Sequence, residues 1–276
     1  MLAQIRTLRW WIWGLVCICN IQYGSAQELL VNVYGRQYTL LNGKWNAIID
    51  PYQQGRKTAI YRNRALKDKA DFKEYAFEGG LRLNVPSDWN SQIPELKYYE
   101  GTMWYARKFG INKKSDENLF LYFGAVNYRC RVYLNGTLIG SHEGGFTPFQ
   151  FNVTNVVKEG GNFLAVEVDN TRTADAIPAL SFDWWNYGGI TRDVMLVHTP
   201  KNYIRDYFIQ LDKYDSDRVH AEVQLSAQNA GQLVKIEIPE LKIANKVFTD
   251  GTGLAKATFR VRNLERWSPQ APKLYQ

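Results

Sequence analysis

A short run near the middle of the chain concentrates side chains that could do chemistry. Ser181-Phe-Asp-Trp-Trp-Asn-Tyr-Gly-Gly189 carries one carboxylate among four aromatic rings. A carboxylate such as Asp183 can accept hydrogen bonds from two neighbouring hydroxyl groups, and its charge strengthens both bonds. The structural alternatives are that Asp183 caps a turn and that the rings form a domain core or a domain interface. We expect the core or interface role for the rings as a group, with Trp184 as the exception that contacts a ligand.

The sequence gives no support for metal or phosphate chemistry. His142-Glu143 opens like a zinc-binding helix motif, but Phe146 occupies the position of the second histidine, and the intervening glycines disfavour a helix. The histidines of the chain are too dispersed to predict a metal site. Gly144-Gly145 and Gly188-Gly189 lack the lysine or helix start of a phosphate loop and are interpreted as turn glycines. We therefore expect neither a metal nor a cofactor.

Short strands must position this run. Residues 130–142 alternate apolar and polar side chains on both sides of Asn135-Gly136, which favours a type I′ hairpin. Residues 162–168 predict a buried strand, residues 169–175 a polar loop, and residues 190–198 a returning strand. The run around Asp183 is thus expected to connect two strands.

The rest of the chain shows the same alternating texture, with no helix-strand alternation of the barrel type. Asn42-Gly43 predicts a turn, and Trp45 is a predicted core residue. Residues 53–77 allow two interpretations, a short helix within 63–77 or a surface excursion between strands. The strand pattern resumes at 81–89, before the first full strand. The other predicted strands lie within 29–50 and at 103–111, 119–123, 203–211, 219–226, 234–238 and 257–261.

Composition indicates an ordinary globular protein. The chain has 276 residues, of which 45% are hydrophobic and 22% charged, and this length suits about two domains. The formal charge of +7 comes from basic residues scattered among acids, so it indicates a solvated surface and not a nucleic-acid-binding patch.

The N-terminal residues 1–26 predict a cleaved signal peptide. Two arginines precede the apolar run 10–21, and small residues follow at 24–26. An uncleaved membrane anchor is the alternative, but the run is short for a span of about 20 residues. Of the three cysteines only Cys130 lies outside this segment, and we expect it to be a buried apolar side chain. The chain is therefore expected to be exported to the periplasm or the extracellular space.

Five motifs stand in order along the chain. They are Gly101-Thr-Met-Trp-Tyr-Ala-Arg-Lys-Phe109, Phe123-Gly-Ala-Val-Asn127 with Val132-Tyr-Leu-Asn-Gly136, His142-Glu-Gly-Gly-Phe-Thr-Pro-Phe149, Asp169-Asn-Thr-Arg172 and Trp185-Asn-Tyr-Gly-Gly-Ile-Thr-Arg-Asp-Val194. Together they resemble the N-terminal sugar-binding domain of glycoside hydrolase family 2, the family of β-galactosidases, β-glucuronidases and β-mannosidases. Their residues resemble the β-glucuronidase branch more than the large bacterial β-galactosidases. The resemblance covers 43–200 well and the rest loosely.

This resemblance implies an all-β fold. A jelly-roll-like sugar-binding sandwich is expected over 27–200 and an incomplete immunoglobulin-like sandwich over 201–276, with the catalytic (β/α)8 barrel absent. Retaining glycosidases need two carboxyl groups about 5 Å apart, and family 2 enzymes draw both from barrel glutamates. The acids around the candidate run match non-catalytic positions of the family, so no catalytic residue is expected here and the isolated chain is expected to be inactive. These acids are Glu143, Asp169, Asp175, Asp183 and Asp193.

The resemblance also implies a role for Asp183. In the β-glucuronidase branch the matching aspartate projects into the barrel's active site and accepts hydrogen bonds from substrate hydroxyls. Asp183 and Trp184 are therefore the expected substrate-binding residues, with a β-glycoside and the missing barrel as partners. The alternative is a free-standing carbohydrate-binding or adhesive β-sandwich protein without hydrolase activity. The motifs specify neither the sugar nor the oligomeric state.

Overall fold

The computed structural model describes residues 28–64 and 76–276, and the predicted signal peptide at 1–26 lies outside this range. Within it the chain is almost entirely β-structure, and every paired strand is antiparallel to its neighbour. Short 3-10 helices occur at Val33–Gly35, Ile60–Arg62, Pro94–Leu96 and Pro239–Leu241. The strands are β1 (Gln37–Leu40), β2 (Gly43–Ile49), β3 (Leu81–Val85), β4 (Ser87–Asp88), β5 (Thr102–Ile111), β6 (Glu117–Phe123), β7 (Val126–Asn127), β8 (Arg129–Leu134), β9 (Thr137–Glu143), β10 (Phe149–Asn152), β11 (Gly160–Asp169), β12 (Gly189–Ile190), β13 (Val194–Pro200), β14 (Ile204–Leu211), β15 (Arg218–Leu225), β16 (Leu233–Ile238), β17 (Ile243–Phe248) and β18 (Leu254–Arg260).

Two sheets form the first sandwich. A six-stranded sheet has the order β3-β2-β5-β11-β8-β9, and a four-stranded sheet has the order β1-β13-β6-β10. Alternate side chains of both sheets meet in one core, in which Trp45, Trp89 and Tyr105 are fully buried. The all-β prediction and the core position of Trp45 are therefore confirmed.

The outer faces of both sheets are also covered, so their central strands are apolar on both sides. Trp104 points away from the core from β5 and packs with Ile60 of the segment that follows β2. On the other sheet, Leu30, Val33 and Tyr203 cover the outward residues of β6 and β13. This double coverage explains why these strands are nearly continuous apolar runs in the sequence.

The second sandwich is smaller. Its three-stranded sheet has the order β14-β15-β18, and β16 pairs with β17. Alternate residues of β15, including Val223, pack with Val234, Ile236 and Ala255. β14 leaves large apolar side chains exposed, among them Phe208 at 58%.

Among the described residues, no helix is long and apolar enough to cross a membrane.

Local strand predictions agree with the structure at several points. Asn135 and Gly136 connect β8 to β9 with φ of 53° and 82°, as a type I′ turn requires. Cys130 is buried, and burial raises the pKa of its thiol to about 12. Residues 53–64 are turns with one 3-10 helix, while part of the helix considered within 63–77 lies outside the described residues.

The predicted strand at 190–198 is wrong in one respect, because it is two strands. β12 pairs with β4 and β7 in a small third sheet, and β13 then enters the four-stranded sheet. The chain changes sheet at residues 191–193, where the Thr191 amide bonds the Ala125 carbonyl at 3.1 Å and the Gly124 amide bonds the Asp193 carbonyl at 2.8 Å. This third sheet borders the candidate loop.

Candidate functional site

The candidate run lies in the loop of residues 170–188, which leaves the six-stranded sheet after β11 and ends at β12. Most of the loop has no regular secondary structure. Its position must therefore be fixed by side chains and by the short strand β12, which pairs with β4 on one side and β7 on the other.

Buried asparagines hold both ends of the loop together. Asn170, which is 0% exposed, donates from Nδ2 to the Asn186 carbonyl at 2.9 Å, and Asn186 donates back to the Asn170 carbonyl. Asn127 on β7 donates to the Asn186 side-chain oxygen at 3.1 Å and also to the Tyr187 carbonyl. Asn90 accepts the Gly188 amide at 2.9 Å. An amide side chain both donates and accepts, so these asparagines replace the missing backbone ladder.

Gly188 is required by close packing. A Cβ at this position would lie 2.1 Å from Cζ2 of the buried Trp89 and 2.6 Å from Nδ2 of Asn170. The Trp89 amide also bonds the Gly188 carbonyl at 2.9 Å. The ring centroids of Tyr105 and Trp89 lie 6.5 Å apart. Burial raises the pKa of Tyr105, so its hydroxyl stays protonated. The loop base is therefore in direct contact with the sandwich core.

An ion pair fixes the loop near its exposed part. Arg172 contacts Glu100 through two nitrogen-oxygen pairs, at 2.7 Å and 3.2 Å. Its Nη1 also donates to the Phe182 carbonyl at 3.3 Å. Arg172 thus connects residue 182, immediately before Asp183, to the segment that precedes β5.

The aromatic rings of the run lie at the surface. Phe182 and Trp184 contact each other with ring centroids 4.6 Å apart, and Trp185 meets Tyr98 edge-on at 5.0 Å. Trp184 is 54% exposed and Trp185 40%. The rings are therefore outside the two sandwich cores, and the core alternative is wrong for them. These exposed rings stand on both sides of Asp183 in the chain, and we call them the aromatic rim.

Asp183 is exposed within this rim. Among the described residues it takes part in no hydrogen bond and no ion pair, and no backbone amide is capped by its carboxylate. The turn-capping alternative therefore has no support in this conformation. Its neighbours on both sides are held by Arg172 and by the asparagines, so the carboxylate is presented to solvent from an anchored loop.

The other four candidate acids all have structural partners. Glu143 pairs with Arg129 at 3.2 Å, and Asp175 accepts the Thr173 hydroxyl at 2.6 Å. Asp169 accepts the Thr171 amide at 2.8 Å, and Asp193 accepts from Asn42 at 2.8 Å and Tyr34 at 3.1 Å. These carboxylates stabilise turns and loops. No group of His, Cys, Asp and Glu in the described part of the chain could hold a metal ion.

The sequence patterns missed the asparagines and the Arg172–Glu100 pair. A signal was present, because Asn170 and Arg172 stand in the polar run after β11, and Asn186 stands inside the aromatic run. Asn170 and Asn186 are 16 residues apart, however, Arg172 and Glu100 are 72 apart, and Asn90 and Gly188 are 98 apart, so local patterns could not show these pairings.

The fold and this loop define a class of protein: tandem antiparallel β-sandwiches, the first of which presents an exposed carboxylate within an aromatic rim. Two family descriptions match the chain, "Glycosyl hydrolases family 2, sugar binding domain" over residues 39–200 and "Glycosyl hydrolases family 2" over residues 202–276. The chain belongs to glycosyl hydrolase family 2.

Curated relatives agree with this assignment. The chain is 29% identical over 204 residues to a putative β-glucuronidase of Formosa agariphila, covering 70% of this chain and 25% of the relative. It is 26% identical over 298 residues to the β-glucuronidase of Rattus norvegicus, covering 96% and 44%. A β-galactosidase of Thermoanaerobacter pseudethanolicus is 30% identical over 232 residues, covering 78% and 31%. The chain thus spans less than half the length of these relatives.

Solved structures give the same result. A β-glucuronidase from an uncultured Clostridium species matches with a TM-score of 0.69 and 29% identity, over 87% of this chain and 42% of that one. A Bifidobacterium dentium β-glucuronidase, solved with coumarin-3-O-glucuronide, matches with a TM-score of 0.70 and 25% identity, over 87% and 44%.

Proposed function

We propose that this chain is the N-terminal, non-catalytic part of an exported family 2 exo-glycosidase of the β-glucuronidase or β-galactosidase type. In this role the first sandwich braces a catalytic barrel and contributes one wall of its active site. The observation that carries the proposal is the Asp183 carboxylate, which is exposed on an anchored loop and has no partner among the described residues.

The chemistry of this wall is recognition of a sugar. Asp183 accepts hydrogen bonds from two neighbouring substrate hydroxyls, and the charge makes both bonds stronger than neutral ones. The exposed Trp184 ring contacts the substrate through its apolar face. Arg172 and the asparagines keep the loop in place, which lowers the entropic cost of ordering it when substrate binds.

Catalysis in this proposal needs carboxylates outside the chain. Retaining hydrolysis requires an acid/base and a nucleophile, and the acids near the loop other than Asp183 are already bonded to structural partners. The relatives are more than twice as long as the part that this chain matches. The isolated chain is therefore expected to hydrolyse no nitrophenyl β-glucuronide or β-galactoside above background. Turnover that is abolished by mutating a residue within the chain would contradict this.

Export is part of the proposal and rests on residues 1–26. Their basic start, apolar run and small residues are typical of a signal peptide. Outside residues 1–26 the sequence has one cysteine, Cys130, which is buried on β8 and has no second cysteine with which to form a disulfide within the chain. N-terminal sequencing of the protein from the periplasm or the medium should find Gln27 as its first residue, and an intact N-terminus in the cytosolic fraction would contradict export.

The coding sequence of the gene tests directly whether a catalytic barrel follows this chain. The coding sequence beyond Gln276 should continue into a (β/α)8 barrel that carries two catalytic glutamates. A stop codon directly after Gln276 would instead favour the free-standing carbohydrate-binding protein.

A further inference from the structure

The two sandwiches are joined by a short connection, residues 201–203, between β13 and β14. Tandem domains usually move relative to each other unless a large apolar interface fixes them. In this connection, however, the Lys201 ammonium donates to the Glu117 carbonyl of the first sandwich at 2.9 Å. The side-chain oxygen of Asn202 accepts the Ala227 amide of the second sandwich at 3.1 Å. The connection is therefore bonded to both sandwiches.

Tyr203, the last residue of the connection, contacts both sandwiches by itself. Its ring meets Phe120 of β6 edge-on, with the ring centroids 5.8 Å apart. Its amide donates to the Ser226 hydroxyl at 3.0 Å, and its carbonyl accepts the Ser226 amide at 2.8 Å. A rotation of the second sandwich would therefore have to pull the Tyr203 ring away from the first.

A third segment, residues 28–36, lies across the same junction, and we call it the N-terminal clasp. Leu30 and Val33 of the clasp pack on the outward face of the four-stranded sheet. The Glu28 carbonyl accepts Nε2 of the buried Gln150 on β10 at 2.8 Å. These contacts attach the clasp to the first sandwich.

Arg36 connects the clasp to the second sandwich. Its Nη2 donates to the carbonyl of Ile204, the first residue of β14, at 2.7 Å, and its Nε donates to the Val31 carbonyl within the clasp at 3.0 Å. The guanidinium also lies 5.8 Å from the centroid of the Tyr203 ring, within the range of a cation–π contact. A single planar side chain with donors along several directions thus bonds the clasp, β14 and the connection between the sandwiches.

A second contact between the clasp and β14 is weaker. Glu28 and Arg205 form an ion pair at 3.1 Å, but their side chains are 52% and 34% exposed. Exposed ion pairs contribute little, because water screens the charges and two long side chains lose conformational freedom. The half-buried Arg36 instead makes charge-assisted hydrogen bonds to two carbonyls. Arg36 is therefore the residue that determines how firmly the clasp holds the second sandwich.

We propose that the N-terminal clasp fixes the orientation of the second sandwich relative to the first, with Arg36 as its positioning residue. The consequence for catalysis rests on the proposed function, in which the chain continues from the second sandwich into the barrel. The angle at the junction then determines where the barrel meets the loop that carries Asp183. Because a small misplacement of a reacting group greatly reduces the rate, loosening the clasp lowers activity without any change in the site itself.

Distances between the two sandwiches test the clasp in the full-length protein. Nitroxide labels are attached through Thr137→Cys on β9 and Lys246→Cys on β17, two exposed positions on different sandwiches, in a background without other exposed cysteines. Cys130 is buried and does not compete for the label. Pulsed electron paramagnetic resonance should give one narrow distance distribution in the parent protein and a broader one after Arg36→Gln.

Arg107→Gln is the matched control. Arg107 also donates to a backbone carbonyl, that of Lys44 at 2.9 Å, but both residues lie in the first sandwich, so the distribution should stay narrow. Arg36→Lys keeps the charge and loses the planar fork, and it should give an intermediate width. Circular dichroism verifies that each variant is folded. A purely stabilising role for Arg36 would lower Tm without broadening the distribution of the folded protein.

The same variants measure the effect on activity. Arg36→Gln should lower kcat/KM of the complete enzyme for a nitrophenyl β-glucuronide or β-galactoside about tenfold or more, whereas Arg107→Gln should leave it unchanged. Asp183→Ala should lower kcat/KM while the distance distribution stays narrow. The two readouts therefore separate the clasp from the role proposed for the Asp183 loop.

Two results would overturn the inference. If the distribution of Arg36→Gln is as narrow as that of the parent, the junction is fixed without the clasp, whatever the activity. If the distribution broadens and kcat/KM is unchanged, Arg36 does not position the site. Hydrolysis of neither glycoside by the parent enzyme would overturn the proposed function instead, and the distances alone would then decide whether the clasp exists.

Discussion

The loop of residues 170–188 is held chiefly by side-chain amides, so removal of one buried amide should lower the free energy of unfolding of the whole first sandwich. Asn170 is the strongest test, because it is fully buried and bonds two separate segments. Its Nδ2 donates to the Asn186 carbonyl, and its Oδ1 accepts the Gly101 amide, both at 2.9 Å. Asn170→Ala removes both bonds and leaves a buried carbonyl and an amide without partners.

The magnitude follows from those two groups. Each unsatisfied buried polar group costs about 1–3 kcal/mol, so Asn170→Ala should lower the free energy of unfolding by about 2–6 kcal/mol. That is a large part of the roughly 5–15 kcal/mol that holds a typical domain together. Asn118 is the matched control. Its amide also donates twice, to the Pro200 and Lys201 carbonyls at 3.1 Å and 3.3 Å, but at an exposed junction where water can replace it.

Urea denaturation followed by tryptophan fluorescence measures both variants, since Trp45, Trp89 and Trp104 are buried in or against the first sandwich. Asn118→Ala should cost about 1 kcal/mol or less, with the slope against urea unchanged in both proteins. Equal losses for Asn170→Ala and Asn118→Ala, or a loss under about 1 kcal/mol for Asn170→Ala, would refute the view that the amides fix the loop.

Two further predictions concern packing and pH. Gly188→Ala places a methyl group against Trp89 and should lower the free energy of unfolding by about 1–3 kcal/mol. Gly161→Ala is the control, because its added Cβ meets open space and should not lower that free energy. The urea midpoint of each variant, compared with that of the wild type, tests both expectations. Burial alone would raise the pKa of Glu117, but a backbone amide and the His198 ring bond its charged form and hold the pKa below its ordinary value. The stability that ionised Glu117 contributes is therefore fully present above its unfolded-state pKa of about 4.3, and it is lost as pH falls through the lower pKa of the folded state. Glu117→Gln removes this contribution, so Tm should fall less steeply at acid pH in the variant than in the wild type. Identical curves of Tm against pH would contradict this.

The sequence predicted what local chemistry determines. Asn135-Gly136 gives a type I′ turn whatever lies around it, and the alternation on both sides gives β8 and β9. The buried strand at 162–168 and the core position of Trp45 follow from apolar runs in the same way.

The sequence did not predict which strands pair with each other. The turn predicted at Asn42-Gly43 is wrong, because Gly43 is already the first residue of β2. β1 pairs with β13, while β2 pairs with β3 and β5, so residues 41–42 link two sheets and do not close a hairpin. β17 was missed because its Ala, Asn and Lys residues are weak strand formers, and Lys246 faces Lys235 across the pair. Pairing with β16 determines this strand, and local preference does not.

The candidate loop shows the same division. The acidic-aromatic composition around Asp183 is visible in the sequence, and it marks the segment in which the exposed carboxylate lies. The anchors are contacts at long range, such as the Arg172–Glu100 pair and the Asn127–Asn186 bond. Which acids are already bonded and which one is open to solvent depends on these contacts, so it required coordinates.

The most direct test of the proposed active-site wall is kcat/KM of the complete enzyme with Asp183 changed. If the carboxylate accepts two substrate hydroxyls, Asp183→Ala loses bonds worth about 1.5–3 kcal/mol each, or about ten- to more than a hundredfold in kcat/KM per bond. Asp183→Asn keeps one acceptor and should lose only part of that activity. Since no hydrogen bond within the described residues depends on this carboxylate, Tm should stay near that of the wild type in both variants. Unchanged kcat/KM together with a lowered Tm would contradict the assignment.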